Sequence, residues 1–466
     1  MGPVKPSATV DLAAILLPYD GPACGPRSVP LRLVLVRHGL SSFNLERRIQ
    51  GRDDLSELSP QGLEQAKRCG EALKGIALDL SYTSPLRRAA ETARQLIQSH
   101  GEALELIQRE DLLEIDLAPW SGLPRDDLHR HDPEGERRWR EEPHRLELRR
   151  SDGGLYSPVL ELMEQAGSFL QFLMGRHASA LRGDGQETVL VVAHNGILRC
   201  LILRLLGLPA AAFSRLRLDN GSISVLNLQG PLGEEPSVQI ESLNSTFHLQ
   251  RPLPPRGQGP RMLLVRHGET DWNREGRFQG QIDIPLNSTG MAQAQAASQF
   301  LADVPLSRAY TSPMARPRQT AERILLAHPG VPLTCHSGLV EIGHGLWEGQ
   351  LEREISASWP ELLADWKRSP QTVQMPEGET LQQVWDRSLA AWQCIARSLD
   401  PQETALVVAH DAVNKTILCS LLGLGPEAIW SVKQGNGGVT VIDYPQGGDA
   451  APVVSGLNFT GHLGGV

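Results

Sequence analysis

One short stretch most constrains what this chain can fold into, and it occurs twice. Residues 263–268 read Leu-Leu-Val-Arg-His-Gly, and residues 34–39 read Val-Leu-Val-Arg-His-Gly. A short apolar run predicts a buried strand, and the glycine that follows it permits a tight turn. We therefore expect each Arg-His pair at the carboxyl end of a strand, where open α/β sheets bind their ligands.

The two copies also share an asparagine beyond the motif. Asn44 lies six residues after His38, and Asn273 lies six residues after His267. Later motifs recur in the same order, and the spacing between equivalent residues changes little along the chain. It is 229 residues from His38 to His267, 227 from Glu114 to Glu341 and 216 from His194 to His410. The chain therefore contains a tandem duplication.

The falling offset places about 11 extra residues in the first copy, between Glu114 and His194. We assign this excess to 125–158, a segment dense in Arg, Glu and His. Two interpretations are open for the segment. It is either a solvated helical excursion or a lid over the first site, because such connections often carry function.

At 466 residues the chain exceeds one ordinary hydrophobic core. We predict an irregular Pro- and Gly-rich N-terminal extension at 1–30, a first domain at 31–249, a Pro/Gly linker at 250–260 and a second domain at 261–466. Strand patterns alternate with capped helix starts such as Ser59-Pro60 and Ser84-Pro85. This alternation predicts parallel βαβ units and an α/β fold in each half.

Composition excludes some classes of partner. The net charge of −9 argues against non-specific nucleic-acid binding, and no apolar run reaches the ~18 residues of a membrane span. The six cysteines are scattered without a C-x-x-C pair. They are interpreted as small buried residues in a reducing compartment, and we expect a cytoplasmic protein. Oligomeric state is not readable from the sequence.

Each half supplies the same set of chemical groups: an Arg-His pair after a strand, an arginine at a helix start, a glutamate in a loop and a histidine after another strand. Arginine forks hold phosphate oxygens in pairs, an imidazole nitrogen can act as a nucleophile, and a carboxylic acid can protonate a leaving alkoxide. We find no Ser or Cys nucleophile motif and no clustered metal ligands, so neither metal nor cofactor is expected. The sets are Arg37, His38, Arg88, Glu114 and His194 in the first half, and Arg266, His267, Arg316, Glu341 and His410 in the second.

With these motifs in the expected order, the sequence resembles the histidine phosphatase superfamily, in its phosphoglycerate-mutase-like branch. The resemblance covers about 31–249 and 261–466, nearly the whole chain twice. It implies two tandem three-layer α/β/α domains with mostly parallel sheets. It also implies a small phosphorylated metabolite as substrate, either a sugar phosphate or a phosphoglycerate-like compound.

The resemblance further implies a role for each residue of the second half. His267 would accept the phosphoryl group as phosphohistidine, and Glu341 would act first as general acid and then as general base. Arg266, Arg316 and His410 would clamp the phosphate. The substrate phosphate would also contact Asn273, Thr270, Gln279 and Gly280. In the first half the same roles would pass to His38, Glu114, Arg37, Arg88, His194 and Asn44.

The second half fits the family pattern better than the first. The first half has Leu40-Ser41 where Glu-Thr is usual, Ser121 where the second half has Glu348, and a divergent segment at 154–157. These departures leave the substrate and the activity of the first half open.

Three functions remain open at this stage. The leading hypothesis is a phosphomonoesterase, and the first alternative is a mutase that returns the phosphoryl group to another oxygen of its substrate. In the resembled family, cofactor-dependent mutases carry long insertions, and the second half is compact between Glu341 and His410, which favours hydrolysis. The other alternative is that one half is a weak or inactive phospho-ligand sensor. Fused domains of this kind also resemble the phosphatase of carboxyarabinitol 1-phosphate, which is a substrate hypothesis.

Overall fold

The fold is described from a computed structural model, for residues 30–183, 185–230, 237–251 and 253–465. All but one residue of the predicted extension 1–30 lie outside these ranges. Within the described ranges there are fourteen strands. They are β1 (Leu31–Arg37), β2 (Leu80–Thr83), β3 (Leu106–Gln108), β4 (Leu148–Arg149), β5 (Leu155–Tyr156), β6 (Glu187–Ala193), β7 (Ile223–Gln229), β8 (Ser237–Ser245), β9 (Arg261–Arg266), β10 (Arg308–Thr311), β11 (Leu333–Cys335), β12 (Thr404–Ala409), β13 (Val439–Asp443) and β14 (Val453–Phe459).

The α-helices fall mostly between these strands, as the alternating sequence pattern predicts. They are α1 (Ser42–Leu45), α2 (Pro60–Ala72), α3 (Arg87–His100), α4 (Leu128–His131), α5 (Pro133–Glu141), α6 (Pro158–Arg176), α7 (Ala178–Leu181), α8 (Asn195–Leu205), α9 (Asp271–Glu275), α10 (Ser288–Leu301), α11 (Ala315–Leu325), α12 (Glu352–Ser358), α13 (Pro360–Arg368), α14 (Leu381–Arg397) and α15 (Asp411–Leu422).

Twelve of the described strands form one sheet in the order β11-β10-β12-β9-β13-β14-β8-β7-β1-β6-β2-β3. In the first half β1, β6, β2 and β3 pair in parallel, and β7 and β8 run antiparallel to their neighbours. The second half repeats this arrangement with β9, β12, β10, β11, β13 and β14. The sheets are thus mixed but mostly parallel, as expected for this α/β fold.

Alternate residues of the central strands face opposite sides of the sheet and join different apolar clusters. Leu33 and Leu35 of β1 belong to a cluster that extends across both halves, whereas Val34 and Val36 belong to a smaller cluster confined to the first half. On that second face the other half has its own cluster around Leu263. Because buried strands need apolar cover on both faces, helices lie on each side of the sheet.

The two halves meet edge to edge through antiparallel β8 and β14, where Leu243 pairs with Leu457. Equivalent side chains make reciprocal bonds across this junction. Asn244 Nδ2 donates to the Ser455 carbonyl at 2.7 Å, and Asn458 Nδ2 donates to the Glu241 carbonyl at 2.7 Å. The contacts on the two sides are therefore related by an approximate twofold axis.

Three sequence interpretations were wrong in part. Helix α3 begins at Arg87 and not at a cap formed by Ser84, because the Ser84 hydroxyl contacts a histidine at the sheet edge. The extra length of the first half is not confined to 125–158. Part of it lies in that segment, which contains the β4–β5 hairpin, and part lies in the longer connection 177–186, against 398–403 in the second half. The five cysteines described are free thiols, but Cys335 and Cys394 are exposed, not buried.

Candidate active sites

The sheet brings the histidines of each half together at its carboxyl edge. In the second half His267 follows β9 and His410 follows β12, and these neighbouring parallel strands place Arg266 level with Ala409. The two imidazole centroids lie 5.2 Å apart. In the first half the rings of His38 and His194 lie 5.1 Å apart in the same edge-to-face arrangement.

The hydrogen bond of His267 fixes which of its nitrogens is free to react. Its Nδ1 lies 2.7 Å from the Gly268 carbonyl oxygen, which can only accept, so Nδ1 carries the proton and the lone pair is on Nε2. His38 makes the same bond to Gly39, also at 2.7 Å. Each ring therefore exposes an unprotonated Nε2 to the site.

Only glycine fits directly after each of these histidines. A Cβ at Gly268 would lie 2.4 Å from the carbonyl oxygen of Gly290, and a Cβ at Gly39 would lie 2.4 Å from that of Gly62. This close approach holds the first turn of a neighbouring helix against the loop. The glycines thus set the orientation of the imidazoles that precede them.

Burial keeps the paired histidines uncharged. Desolvation, followed by the charges of Arg316 and Arg266, lowers the pKa of His267 well below its usual value. The pKa of His410 is lowered in the same way, by burial first and then by Arg316. In the first half burial, then Arg88, lowers the pKa of both His38 and His194. Neutral imidazoles at ordinary pH are the form that a nucleophile requires.

The arginine at the start of α11 is held beside His267 by hydrogen bonds to backbone carbonyl groups. Arg316 is fully buried and donates to the carbonyl oxygens of Gly280 at 2.8 Å and Ile282 at 3.2 Å. Its Nε lies 3.3 Å from Nε2 of His267. Burial lowers the pKa of Arg316 to about 10, so the guanidinium remains charged at neutral pH. In the first half Arg88 is held similarly by the carbonyl oxygens of Gly51 and Asp53.

Several buried donors of the two sites have no partner among the residues that the structure describes. Buried polar groups are nearly always hydrogen-bonded, so a cluster of unpaired donors indicates a site that accepts an anion. These donors are Arg37 Nε and Arg88 Nε in the first half and Arg266 Nε in the second. Nδ1 of His194 and of His410 also lack a partner, and each is a donor in the tautomer whose Nε2 accepts from the neighbouring serine hydroxyl.

A buried glutamate lies beside each cluster. Glu341 accepts bonds from the backbone N–H groups of Ile342 at 3.0 Å and Ala412 at 3.4 Å. Burial and the nearby charge of Asp411 raise its pKa, which favours the protonated acid. Glu114 accepts from the N–H groups of Ile115 and Gly196, both at 2.9 Å.

The predicted phosphate ligands after the nucleophile have mainly supporting contacts. Asn273 caps α9, and its Oδ1 accepts from the backbone N–H of Thr270 and from Asn436 Nδ2. Thr270 Oγ1 in turn accepts from Asn273 N–H and from Gln279. The Gly280 carbonyl, as described above, accepts from Arg316. Asn44 makes the equivalent bonds in the first half, to Ser41 and Asn220.

Sequence reasoning missed two pairs of residues that orient these groups. Ser84 Oγ lies 2.8 Å from His194 Nε2, and Ser312 Oγ lies 2.9 Å from His410 Nε2. Thr92 and Thr320 each accept from the backbone N–H of the glycine after the nucleophile at 3.1 Å. Both pairs recur at the same offset of 228 residues, a signal that could have identified them.

Within the described ranges, His, Cys, Asp and Glu side chains form no group of three or more that could hold a metal ion. No helix in the same ranges is both long enough and apolar enough to cross a membrane.

Comparisons with known proteins agree with this geometry. The family description "Histidine phosphatase superfamily (branch 1)" matches residues 33–236 and 262–456. The wheat 2-carboxy-D-arabinitol-1-phosphatase is 30% identical, with 95% of this chain and 88% of the wheat protein covered. Phosphoserine phosphatase 1 of Hydrogenobacter thermophilus is 32% identical over 44% of this chain and 94% of its own. Among solved structures, Bacillus stearothermophilus YhfR is 31% identical with a TM-score of 0.41, covering 44% of this chain and 99% of its own. The match spans well over half of the chain in two separate stretches, and the protein belongs to the histidine phosphatase superfamily.

Proposed function

We propose that this protein is a phosphomonoesterase that hydrolyses a small phosphorylated metabolite through a phosphohistidine intermediate, with one active site in each half. The observation that carries the proposal is the set of buried, unpaired donors in the same cluster as an uncharged imidazole whose Nε2 carries the lone pair. A phosphate ester offers the oxygens those donors lack. Membership of the histidine phosphatase superfamily and the names of the relatives support a phosphatase.

The first step transfers the phosphoryl group. His267 Nε2 attacks phosphorus while the bond from phosphorus to the ester oxygen breaks, and Glu341 gives its proton to the departing alkoxide. Arg266, Arg316 and His410 hold the phosphoryl oxygens, and their charge and N–H groups stabilise the transition state. The raised pKa of Glu341 supports its role as the acid.

The second step releases phosphate. Glu341, now a carboxylate, takes a proton from a water molecule. The oxygen of that water attacks phosphorus, and the P–N bond to His267 breaks. The histidine regains its lone pair and the glutamate regains its proton, so the site returns to its starting state. Equivalent steps in the first half use His38 and Glu114.

The first substrate to test is a carboxylated sugar phosphate. The wheat relative, which covers both halves of this chain, is named for 2-carboxy-D-arabinitol 1-phosphate. The Hydrogenobacter relative is named for phosphoserine, which also carries a carboxylate. Both names support a small phosphate ester bearing a second anionic group.

The decisive experiment traps the intermediate. The wild type, His38→Ala, His267→Ala and the double variant are mixed with ³²P-labelled substrate and quenched with alkali, because phosphohistidine is labile to acid. Phosphate release is followed in parallel. We expect a labelled protein in both single variants and none in the double variant, with His131→Ala, an exposed histidine, as the control.

The other outcomes separate the alternatives. Label exchange between positions of a phosphoglycerate, without phosphate release, would indicate a mutase. Calorimetric binding of phosphate without labelling of either half would indicate a sensor. Label in the double variant would refute the assignment of the two nucleophiles.

A further inference from the structure

A cavity of about 360 Å³ opens beside the active site of the first half. We call it the lateral cavity. It shares Arg37 with the catalytic cluster, and Asn195, which follows His194, also lines it. The other residues that matter for its chemistry are Arg125, Arg199, Phe213 and Arg217.

The arginines that line the lateral cavity outnumber its one acidic lining residue, Asp219. Arg217 pairs with Asp219 at 3.0 Å. Arg125 and Arg199, in contrast, form no ion pair with any residue inside the described ranges, and Nε of Arg199 is buried without a partner there. Burial lowers the pKa of Arg37 and of Arg199 to about 10 because desolvation disfavours their charge. Both remain cations at neutral pH. The charges of Asp219 and Glu114 act on both, but neither arginine forms an ion pair with a residue that the structure describes.

The second half has a larger side chain at one position that corresponds to the lining of the lateral cavity. The 3-10 helix Ala210–Arg215 corresponds to Pro426–Ser431 at the same 216-residue offset that relates the histidines, so Trp430 stands where the first half has Ser214. The Trp430 ring packs edge-on against Trp366 at 5.4 Å. The side chain at this position is therefore an indole packed on another indole in the second half and a small hydroxyl that lines the lateral cavity in the first.

The equivalent charges in the second half are also neutralised. Asp411 replaces Asn195 and pairs with Lys415 at 2.8 Å and with Arg266 at 3.3 Å. At the offset of the two glutamates, Glu352 replaces Arg125, which reverses the charge at the rim. The two halves thus share their catalytic residues but differ in the chemistry directly beside them.

We propose that the lateral cavity binds a second anionic group of the substrate, a carboxylate or a second phosphate, and that the two active sites therefore select different esters. The first half takes a phosphate ester with a separate anionic group, which Arg125 and Arg199 hold. The second half takes esters whose remaining part is uncharged. Guanidinium groups bind both carboxylate and phosphate oxygens through paired hydrogen bonds. This inference rests on the proposed phosphatase function.

The test uses the full chain with the second nucleophile removed, His267→Ala, so that only the first half turns over. Two matched pairs of esters are compared: 3-phosphoglycerate with glycerol 3-phosphate, and fructose 1,6-bisphosphate with fructose 6-phosphate. The first pair reports on a carboxylate and the second on a phosphate. We expect kcat/KM to be higher for the doubly anionic member of at least one pair by about tenfold. This is the gain in binding expected from one charge-assisted hydrogen bond.

Substitutions in the same chain then identify the side chains that cause the preference for doubly anionic esters. Arg125→Glu and Arg199→Gln should each remove it, chiefly by raising KM for the doubly anionic ester. Asn195→Asp, which copies the second half, should also weaken it. Arg130→Ala, an exposed arginine on the neighbouring α4, should leave it intact. The complementary chain, with His38→Ala, should show no such preference.

A preference that survives both Arg125→Glu and Arg199→Gln would overturn the inference, and so would the absence of any preference. If neither half hydrolyses an ester, the proposed function fails, but the cavity remains testable by calorimetry with the same four compounds. Tighter binding of the doubly anionic members that is lost in Arg125→Glu would uphold the inference. Equal binding of both members in each pair would refute it.

Discussion

The two active sites make a controlled comparison inside one molecule. Their paired imidazoles lie 5.1 and 5.2 Å apart, and both His38 and His267 donate to the carbonyl oxygen of the following glycine at 2.7 Å. The side chains around them differ: Asp411 and Trp430 flank the second site, and Asn195 and Ser214 flank the first. The reacting groups are fixed by strand ends and helix starts, which both halves retain. The charge beside each site is set by other side chains, which are not part of the core that the two halves share, and these side chains differ.

The two halves also differ in the charge that lies next to the buried glutamate. Glu341 lies near the charge of Asp411, which, after burial, contributes to its raised pKa. Burial works to raise the pKa of Asp411 itself, but Lys415 and Arg266 outweigh that effect and lower it. Asp411 is therefore an anion that acts on Glu341, and the first half, with Asn195, has no charge at this position.

Glu341→Gln should have the largest effect in the second half, measured in a His38→Ala chain. The amide has no acidic proton to give, so kcat/KM for an alkyl phosphate, which reports the transfer of the phosphoryl group to His267, should fall by roughly 10²–10⁴-fold. The loss should be smaller for p-nitrophenyl phosphate, whose leaving group needs no proton. The parallel experiment is Glu114→Gln in a His267→Ala chain. Equal losses for both esters would contradict the role of general acid, and the exposed Glu361→Gln serves as control.

Arg316→Ala should lower kcat/KM of the second half by roughly 10²–10³-fold, as expected for loss of a preorganised donor to the transition state. The matched control is Arg318→Ala on the same helix, whose side chain is 53% exposed. Arg88→Ala and Arg94→Ala form the corresponding pair in the first half. Similar losses in both halves would show that the two clusters work alike, and a loss in only one would show that they do not.

Asn244→Ala should destabilise the junction between the halves by about 3 kcal/mol. It removes a bond to Ser455, leaves the backbone N–H of Asp219 without its acceptor, and puts alanine at a φ of 60°. Because of the approximate twofold symmetry, Asn458→Ala should cost about as much. Urea denaturation measures both, and Asn244→Gly, which tolerates the left-handed backbone, separates the two contributions. A clear inequality between the two alanine variants would contradict the symmetry.

Asp411→Asn should have the smallest effect, a displacement of the pH profile of the second half. Glu341 must be protonated to act as the acid, so activity falls as pH rises through its pKa. Removing the neighbouring anion lowers that pKa, and the alkaline limb should move to lower pH in a plot of kcat/KM. Asn195→Asp should move the alkaline limb of the first half in the opposite direction. An unchanged pH profile would show that burial alone raises the pKa of Glu341. The acidic limb should stay below pH 6.5, because the pKa of His267 is lowered.

The sequence was enough to predict the fold class and the residues of each cluster. Short apolar strands ending in Arg-His or in histidine determine both, because neighbouring parallel strands bring their carboxyl ends together. Duplication strengthened each assignment, since a spurious motif has no reason to recur at a constant offset. The roles assigned to the histidines, arginines, glutamates and asparagines of each cluster remain proposals that the kinetic experiments address.

Other features could not be predicted, because they depend on packing between distant segments. The sequence placed Ser84 at a helix cap, whereas its hydroxyl contacts His194, a partner 110 residues away. The lateral cavity is lined by residues from segments far apart in the sequence, such as Arg37, Arg125 and Ser214, and the sequence alone does not show that they meet. The pairing of β8 with β14 likewise joins segments that sequence patterns treated as separate domains.

That pairing has a consequence for how the two halves are held together. Leu243 lies opposite Leu457, its own counterpart in the repeat, which is how identical subunits meet in an isologous homodimer. Here the partners are tethered, so the association needs no encounter between separate chains and does not weaken on dilution. Every molecule also carries one pocket of each kind, in a fixed one-to-one stoichiometry. A homodimer has two identical pockets, whereas this covalent version can specialise one of them and leave the other unchanged.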